Sequence, residues 1–169
     1  MDMGCGPMNG REFHTVRGYE IMEKQKDMMS HSMEDYMEMI YRIWVNDGYV
    51  RINTLAEALN VKASSATKMV QKLGRLGLLR YEKYGIIRLT KEGERTGKFL
   101  LDRHNTIERF LQNIGVEQNL LVNVELIEHN VTDNALSKIE LLNRFLDENP
   151  DIMERYGIFR QACEKDTAK

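Results

Sequence analysis

The stretch that decides the fold runs from Asn53 to Leu89, NTLAEALNVKASSATKMVQKLGRLGLLRYEKYGIIRL. Thr54 and Glu57 have capping-box spacing, and Leu55, Ala56 and Leu59 supply an inward face, so a short helix capped by Asn53 or Thr54 is predicted through Leu59. After Asn60-Val61-Lys62-Ala63 a second helix follows. In it Ala66, Met69, Val70 and Leu73 recur at i, i+3, i+4, i+7, while Ser65, Thr67, Lys68, Gln71, Lys72 and Arg75 face away. From Leu79 to Leu89, period-two alternation on both sides of a glycine-containing turn reads as a β-hairpin.

Two short helices joined by a tight turn and followed by a basic hairpin have the order of a winged helix-turn-helix. Small hydroxyl side chains (Ser64, Ser65, Thr67) near the start of the second helix allow close approach to base edges. Gln71 can pair with adenine, and Lys68 and Lys72 can neutralise phosphates. In the hairpin, Lys83 and Tyr84, with Arg80 and Arg88, are placed to hold the neighbouring backbone or reach into the minor groove. Charge supports this assignment: residues 62–98 carry ten basic and three acidic side chains, +7 in a chain of net charge −2, so the remainder holds −9. A basic block inside an acidic chain points to one region that meets polyanions and another that can hold cations.

Outward from this unit the chain is helical. Met33, Tyr36, Met37, Ile40, Tyr41 and Trp44 fall on one face of a helix predicted to start at a Ser32 cap and to end at Asn46, before Asp47-Gly48. A long helix is predicted from Thr90 to about Asn113, with Phe99, Leu100, Ile107, Phe110 and Leu111 buried and Gly115 as its stop. Further helices are predicted over 118–130 and 134–146, then a short helix and a frayed tail. Residues 1–30, rich in Met and Gly, read as a flexible extension in which Tyr19 to Met29 could form a short helix. The division expected is therefore an extension over 1–30, a winged domain over 31–97 and an all-helical domain over 98–169. Neither a span of about 18 apolar residues nor a signal segment is found, which implies a cytoplasmic protein. Cys5 and Cys163 are too few and too scattered for a disulfide framework or a thiolate site.

Six side chains resist assignment to apolar helix faces unless something pairs with them. Asp35 and Glu38 are i, i+3 on the first helix. Glu125, Glu128 and His129 are i, i+3, i+4 on a helix otherwise made of Leu, Val and Ile, and His104 lies on the stripe of Leu100, Ile107 and Leu111. Each alone has a plainer role: Asp35 in a capping box, Glu38 as a solvated charge, His104 as a core histidine, Glu125 with His129 as a surface pair. As a set, four carboxylates and two imidazoles from three helices suffice for two divalent cations with bridging carboxylates, and so many oxygens favour hard ions such as Mn²⁺.

The segments Ser32 to Tyr41, Ser64 to Leu73, Tyr81-Glu82-Lys83-Tyr84, Arg103-His104 and Ile127-Glu128-His129 resemble the manganese transport regulator branch of the diphtheria toxin repressor family, across about residues 32–148. The resemblance implies a homodimeric repressor, not an enzyme, that binds a palindromic double-stranded operator of metal-uptake genes when Mn(II) is plentiful. Two Mn(II) per subunit would be held by Asp35, Glu38, His104, Glu125, Glu128 and His129; no membrane and no small-molecule substrate would be involved. The iron-responsive branch places Met and Cys where this chain has Asp35 and Glu125, so manganese is favoured, with Fe(II) the alternative. The resemblance stops short of the SH3-like domain of longer iron regulators, and Asn130 stands where a second histidine often follows. A ferritin-like di-iron carboxylate enzyme shares the ligand inventory but needs Glu-x-x-His motifs, and Glu125 and His129 are four apart. A metal-independent winged-helix regulator remains the other rival.

Overall fold

The computed structural model describes residues 29–167, in the order α1 (His31–Asp47), β1 (Val50–Arg51), α2 (Ile52–Ala58), α3 (Ala63–Arg75), β2 (Leu79–Tyr81), β3 (Ile86–Leu89), α4 (Lys91–Asn113), α5 (Leu120–Glu128), α6 (Asp133–Glu148) and α7 (Pro150–Thr167). The suggested helix over Tyr19 to Met29 and the flexible extension fall almost wholly outside the described residues. Met29, at the boundary, is buried in the core.

The first core forms where α1, α2 and α3 close over the sheet: Met37, Ile40, Leu55, Ala66, Val70, Leu73 and Ile87 are all fully buried. These include the positions whose spacing predicts the two helices of the helix-turn-helix. The hairpin forms as predicted, β2 pairing antiparallel with β3 in the register Leu79↔Leu89, Arg80↔Arg88, Tyr81↔Ile87. A third strand was not predicted. Val50 and Arg51 pair antiparallel with Ile87 and Ile86, giving the order β1-β3-β2, because a two-residue strand carries no alternation to read. At the hairpin tip Tyr84 (φ 64°) and Gly85 (φ 74°) both take the left-handed conformation. A Cβ on Gly85 would lie 2.9 Å from Ile52 Cγ2, so glycine lets the wing fold onto α2.

Helix starts depart from the predicted caps. Ser32 lies inside α1, whose cap position is Ser30, and the backbone carbonyl of Ser30 accepts from Met33 N and Glu34 N. Asn53 and Thr54 lie in the first turn of α2, with Arg51 at the cap position. Thr90 does cap α4, its Oγ1 accepting from Gly93 N at 3.0 Å. The helix expected over 118–130 contracts to Leu120–Glu128, and His129 closes it. In place of a short helix and frayed tail, Pro150–Thr167 is one 18-residue helix. Proline at a helix start costs nothing, and the helix is seated by tertiary contacts: Tyr156 Oη donates to Ile114 O (3.1 Å) and Arg160 Nη1 to Gly115 O (2.7 Å), at the C-terminal end of α4.

α4 joins the two cores. Its first half packs along α1, with Leu100 in the first core, and its second half places Ile107 and Leu111 against Val124 of α5. Buried Asn143 of α6 donates to Thr106 O and accepts from Asn113 Nδ2, fixing α6 on the same helix. The approach of α1 to α4 depends on Gly97, where a Cβ would fall 2.5 Å from Tyr41 Cβ. Gly97→Ala should force the two helices apart at a cost of about 1–3 kcal/mol, read as a lowered Tm; an unchanged Tm would mean that they are not held so closely.

Candidate metal centre and nucleic-acid face

α1 carries three acidic residues in its first two turns, Glu34, Asp35 and Glu38, and two of the three are buried. Asp35 is past the N3 position of a helix capped at Ser30, so a capping box does not account for it. α4 lies alongside with Arg103 and His104, both buried, and α5 presents Glu125, Glu128 and His129 from its last turn and its cap. Glu128, 1% exposed, sits where the three helices meet.

All six predicted residues converge. Asp35, Glu125, Glu128 and His129 form one group and Glu38, His104 and Glu128 another, each offering ligand atoms that lie within 4.8 Å of one another, with Glu128 common to both. His104 turns Nδ1 inward, 2.9 Å from Glu128 Oε2 and 3.6 Å from Glu38 Oε1. His129 turns Nε2 inward, 3.1 Å from Asp35 Oδ1 and 3.8 Å from Glu128 Oε1. Asp35 Oδ1, itself buried, has His129 Nε2 at 3.1 Å but no hydrogen bond of good geometry. An anionic oxygen withdrawn from water in this way needs a positive partner. The donor set, carboxylate oxygens with one imidazole per group, suits a hard divalent cation.

Electrostatics describe the same demand. Burial raises the pKa of Asp35, and the negative charges of Glu128 and Glu34 add to it against the opposing pull of His129. Glu38 is raised chiefly by burial and then by Glu128, although Arg42 holds it at 2.8–2.9 Å. Partial burial, Glu128 and Asp35 raise Glu125. The hydrogen bond to Glu128 raises His104, against its own burial.

Sequence reasoning missed the surroundings of these six. Glu34 accepts from Arg103 Nη2 at 2.7 Å and lies 2.8 Å from His129 Nδ1, while His31 stacks on His129 with ring centroids 4.5 Å apart and 5° between planes. Charged residues facing one another across 69 positions leave no mark on the period of either helix. A readable signal lay in Glu34 itself, a third acid on a face already too acidic.

On the other side of the first core, α3 exposes Ser64, Ser65, Lys68, Gln71 and Lys72 together. Thr67 is half-buried, and its hydroxyl donates back to Ala63 O at 2.9 Å, so part of its hydrogen-bonding capacity is spent on the helix. Tyr84 projects from the wing tip, 94% exposed. The side chain of Lys83 lies outside the described residues. Arg88 pairs with Glu82 across the hairpin at 3.1 Å.

A third surface is apolar. The Leu- and Val-rich helix leaves much of its apolar surface uncovered: in the single chain Leu121, Val122 and Leu126 of α5 are each more than half exposed, as are Ile158 and Phe159 of α7. Large apolar side chains left this exposed on a helix suit association with another surface.

A winged helix-turn-helix tied through a carboxylate site to a helical unit with an uncovered apolar face defines a class, the metal-dependent DNA-binding regulators. Two family models match the chain, the iron dependent repressor N-terminal DNA binding domain over residues 28–87 and the iron dependent repressor metal binding and dimerisation domain over 90–157. A transcriptional regulator of Lysinibacillus sphaericus, described as HTH-type and MntR, is 47% identical over 129 residues, 76% of this chain and 93% of that one. Its counterpart in Bacillus subtilis is 45% identical over 123 residues, 72% of this chain and 87% of that one. Among solved structures, the manganese regulator SloR is 29% identical over 68% of this chain with a TM-score of 0.57, and this chain spans 53% of its length. The chain belongs to the iron-dependent (diphtheria toxin) repressor family, in its manganese transport regulator branch. It is a dimeric, DNA-binding transcriptional regulator that takes a divalent metal, and not an enzyme, which removes the di-iron oxidase alternative. No helix among the described residues is long and apolar enough to cross a membrane.

Every raised group at the site favours the folded state at low pH and loses that contribution as pH climbs through its folded value. Asp35, Glu38 and Glu125, raised from 3.8, 4.5 and 4.5, and His104, raised from 6.5, therefore act in the same direction. In scanning calorimetry, chelator-treated protein should melt at a higher temperature as pH falls from about 8 to about 6; a Tm that increases with pH over this range would contradict the electrostatics described.

Proposed function

We propose that this regulator represses metal-uptake genes in the cytoplasm when Mn(II) is abundant, holding two Mn(II) per subunit and binding a palindromic operator as a homodimer. Asp35, Glu38, His104, Glu125, Glu128 and His129 are the ligands in this reading, with Glu128 shared. The observation that carries it is the meeting of those six side chains from three helices in two overlapping groups. The presence of Asp35 and Glu125, two further oxygen donors in the same group as the shared carboxylate, favours manganese over softer ions.

The location of the groups supports a mechanism. Asp35 and Glu38 belong to α1, whose other face is locked into the core shared with α2 and α3. Glu125, Glu128 and His129 belong to α5, which carries the exposed apolar residues suited to pairing with a second copy. In this reading residues 31–97 form the reading head and 98–169 the metal-binding and dimerisation part. Bound cations supply the positive charge that lets acids from both parts share one volume. Half-sites of a palindrome lie about one helical turn (~34 Å) or a multiple apart, so heads held at one spacing bind both halves better than heads that swing. Ser64, Ser65, Thr67, Lys68, Gln71 and Lys72 would enter the major groove, with Lys83 and Tyr84 on the flanking backbone.

Glu128→Gln removes one charge from both groups at once. It should abolish Mn(II)-dependent operator binding in a gel-shift titration while sedimentation still shows a dimer, and an unaltered metal dependence would refute the assignment. Parallel anaerobic titrations with Fe(II) separate the manganese reading from its iron alternative.

A further inference from the structure

Glu34 and Arg103 form a deeply buried ion pair, with side chains 6% and 1% exposed, and neither belongs to a ligand group. Glu34 Oε2 meets two partners at once, Arg103 Nη2 at 2.7 Å and His129 Nδ1 at 2.8 Å. The direct approach of Arg103 Nη2 to His129 Nδ1 is 3.5 Å, too long to compete. A guanidinium has no acceptor, and a carboxylate paired with it only accepts, so the hydrogen between Glu34 and His129 resides on Nδ1. Nε2 is then the ring nitrogen left to offer a lone pair to a cation, and it is Nε2 that faces Asp35 and Glu128.

His129 needs such a hold. It stands at the C-cap of α5, where no further helical turn fixes its side chain. His31, stacked flat on the imidazole, blocks one face of the ring. A buried ion pair gives little net stability compared with apolar side chains of similar volume, so stability alone does not explain Glu34 and Arg103. We propose that Glu34, itself held by Arg103, is the positioning residue that fixes His129 in its Nδ1–H form, with Nε2 set for a cation. The inference rests on the two-cation reading above. It assigns to α1 a part in the site beyond Asp35 and Glu38, and it links α1, α4 and α5 by direct contacts of their own.

Long-range proton–nitrogen NMR of the chelator-treated chain reads the imidazole tautomer directly. In its neutral form wild-type His129 should carry its hydrogen on Nδ1; a neutral Nε2–H form there overturns the proposal. Glu34→Gln keeps an acceptor at the same place and should preserve that form. The double variant Glu34→Leu, Arg103→Met replaces the pair by apolar side chains without leaving a lone buried charge. It should shift the ring towards Nε2–H and weaken Mn(II) binding, measured by calorimetry without DNA, roughly 10- to 100-fold. A folded double variant with wild-type tautomer or wild-type Mn(II) affinity would overturn the assignment. Glu128→Gln separates this from the reading beneath it: full Mn(II) binding in that variant sinks the metal site itself, whereas lost binding there with retained affinity in the double variant sinks only the role of Glu34.

Discussion

Four carboxylates brought into one small volume repel one another, and this repulsion is the constraint on which the rest of the structure turns. Glu128 is almost fully buried, and Asp35, Glu38 and Glu125 all have their pKa values raised by burial and by their acidic neighbours. Two imidazoles and one flanking arginine offset part of this. The remaining deficit of positive charge is what a divalent cation supplies, and because the acids come from different helices, supplying it acts on how those helices sit together.

The fold is arranged so that this local demand has a distant effect. α4 is a single 23-residue helix that runs from the first core into the second, and α1 can lie against it because Gly97 presents no Cβ to Tyr41. One face of α1 thus belongs to the first core, and its N-terminal end carries the candidate ligands Asp35 and Glu38. The basic outward face of α3 is joined to the same core through Ala66, Val70 and Leu73, so α1 and that face are linked by close-packed side chains and not by a flexible linker.

Much of this was legible in the chain. The helix-turn-helix and wing could be read because apolar period and polar outward face coincide at Ala66, Met69, Val70 and Leu73. The convergence of the six candidate ligands could be read only as a set: His104 and Glu128 are polar groups on apolar faces, whereas Asp35 and Glu38 lie beside the apolar stripe of α1 and Glu125 is exposed. What stayed hidden belongs to tertiary structure. Strand β1 is too short to show alternation, and α7 holds by Tyr156 and Arg160 on backbone carbonyls far back in the chain. The apolar composition of α5 is no guide to burial within the chain, which leaves Leu121, Val122 and Leu126 uncovered. The pairing of Glu34 with Arg103 and His129 is invisible to periodicity because it depends on three helices meeting.

The central claim is that these acids and imidazoles make one double site with a common carboxylate. Electron paramagnetic resonance during a Mn(II) titration tests it most directly. The account predicts saturation at two ions per chain, with the second ion quenching and broadening the six-line signal of the first, because metals that share Glu128 are close enough for their spins to couple. Saturation at one ion, or two ions with independent six-line spectra, would contradict it.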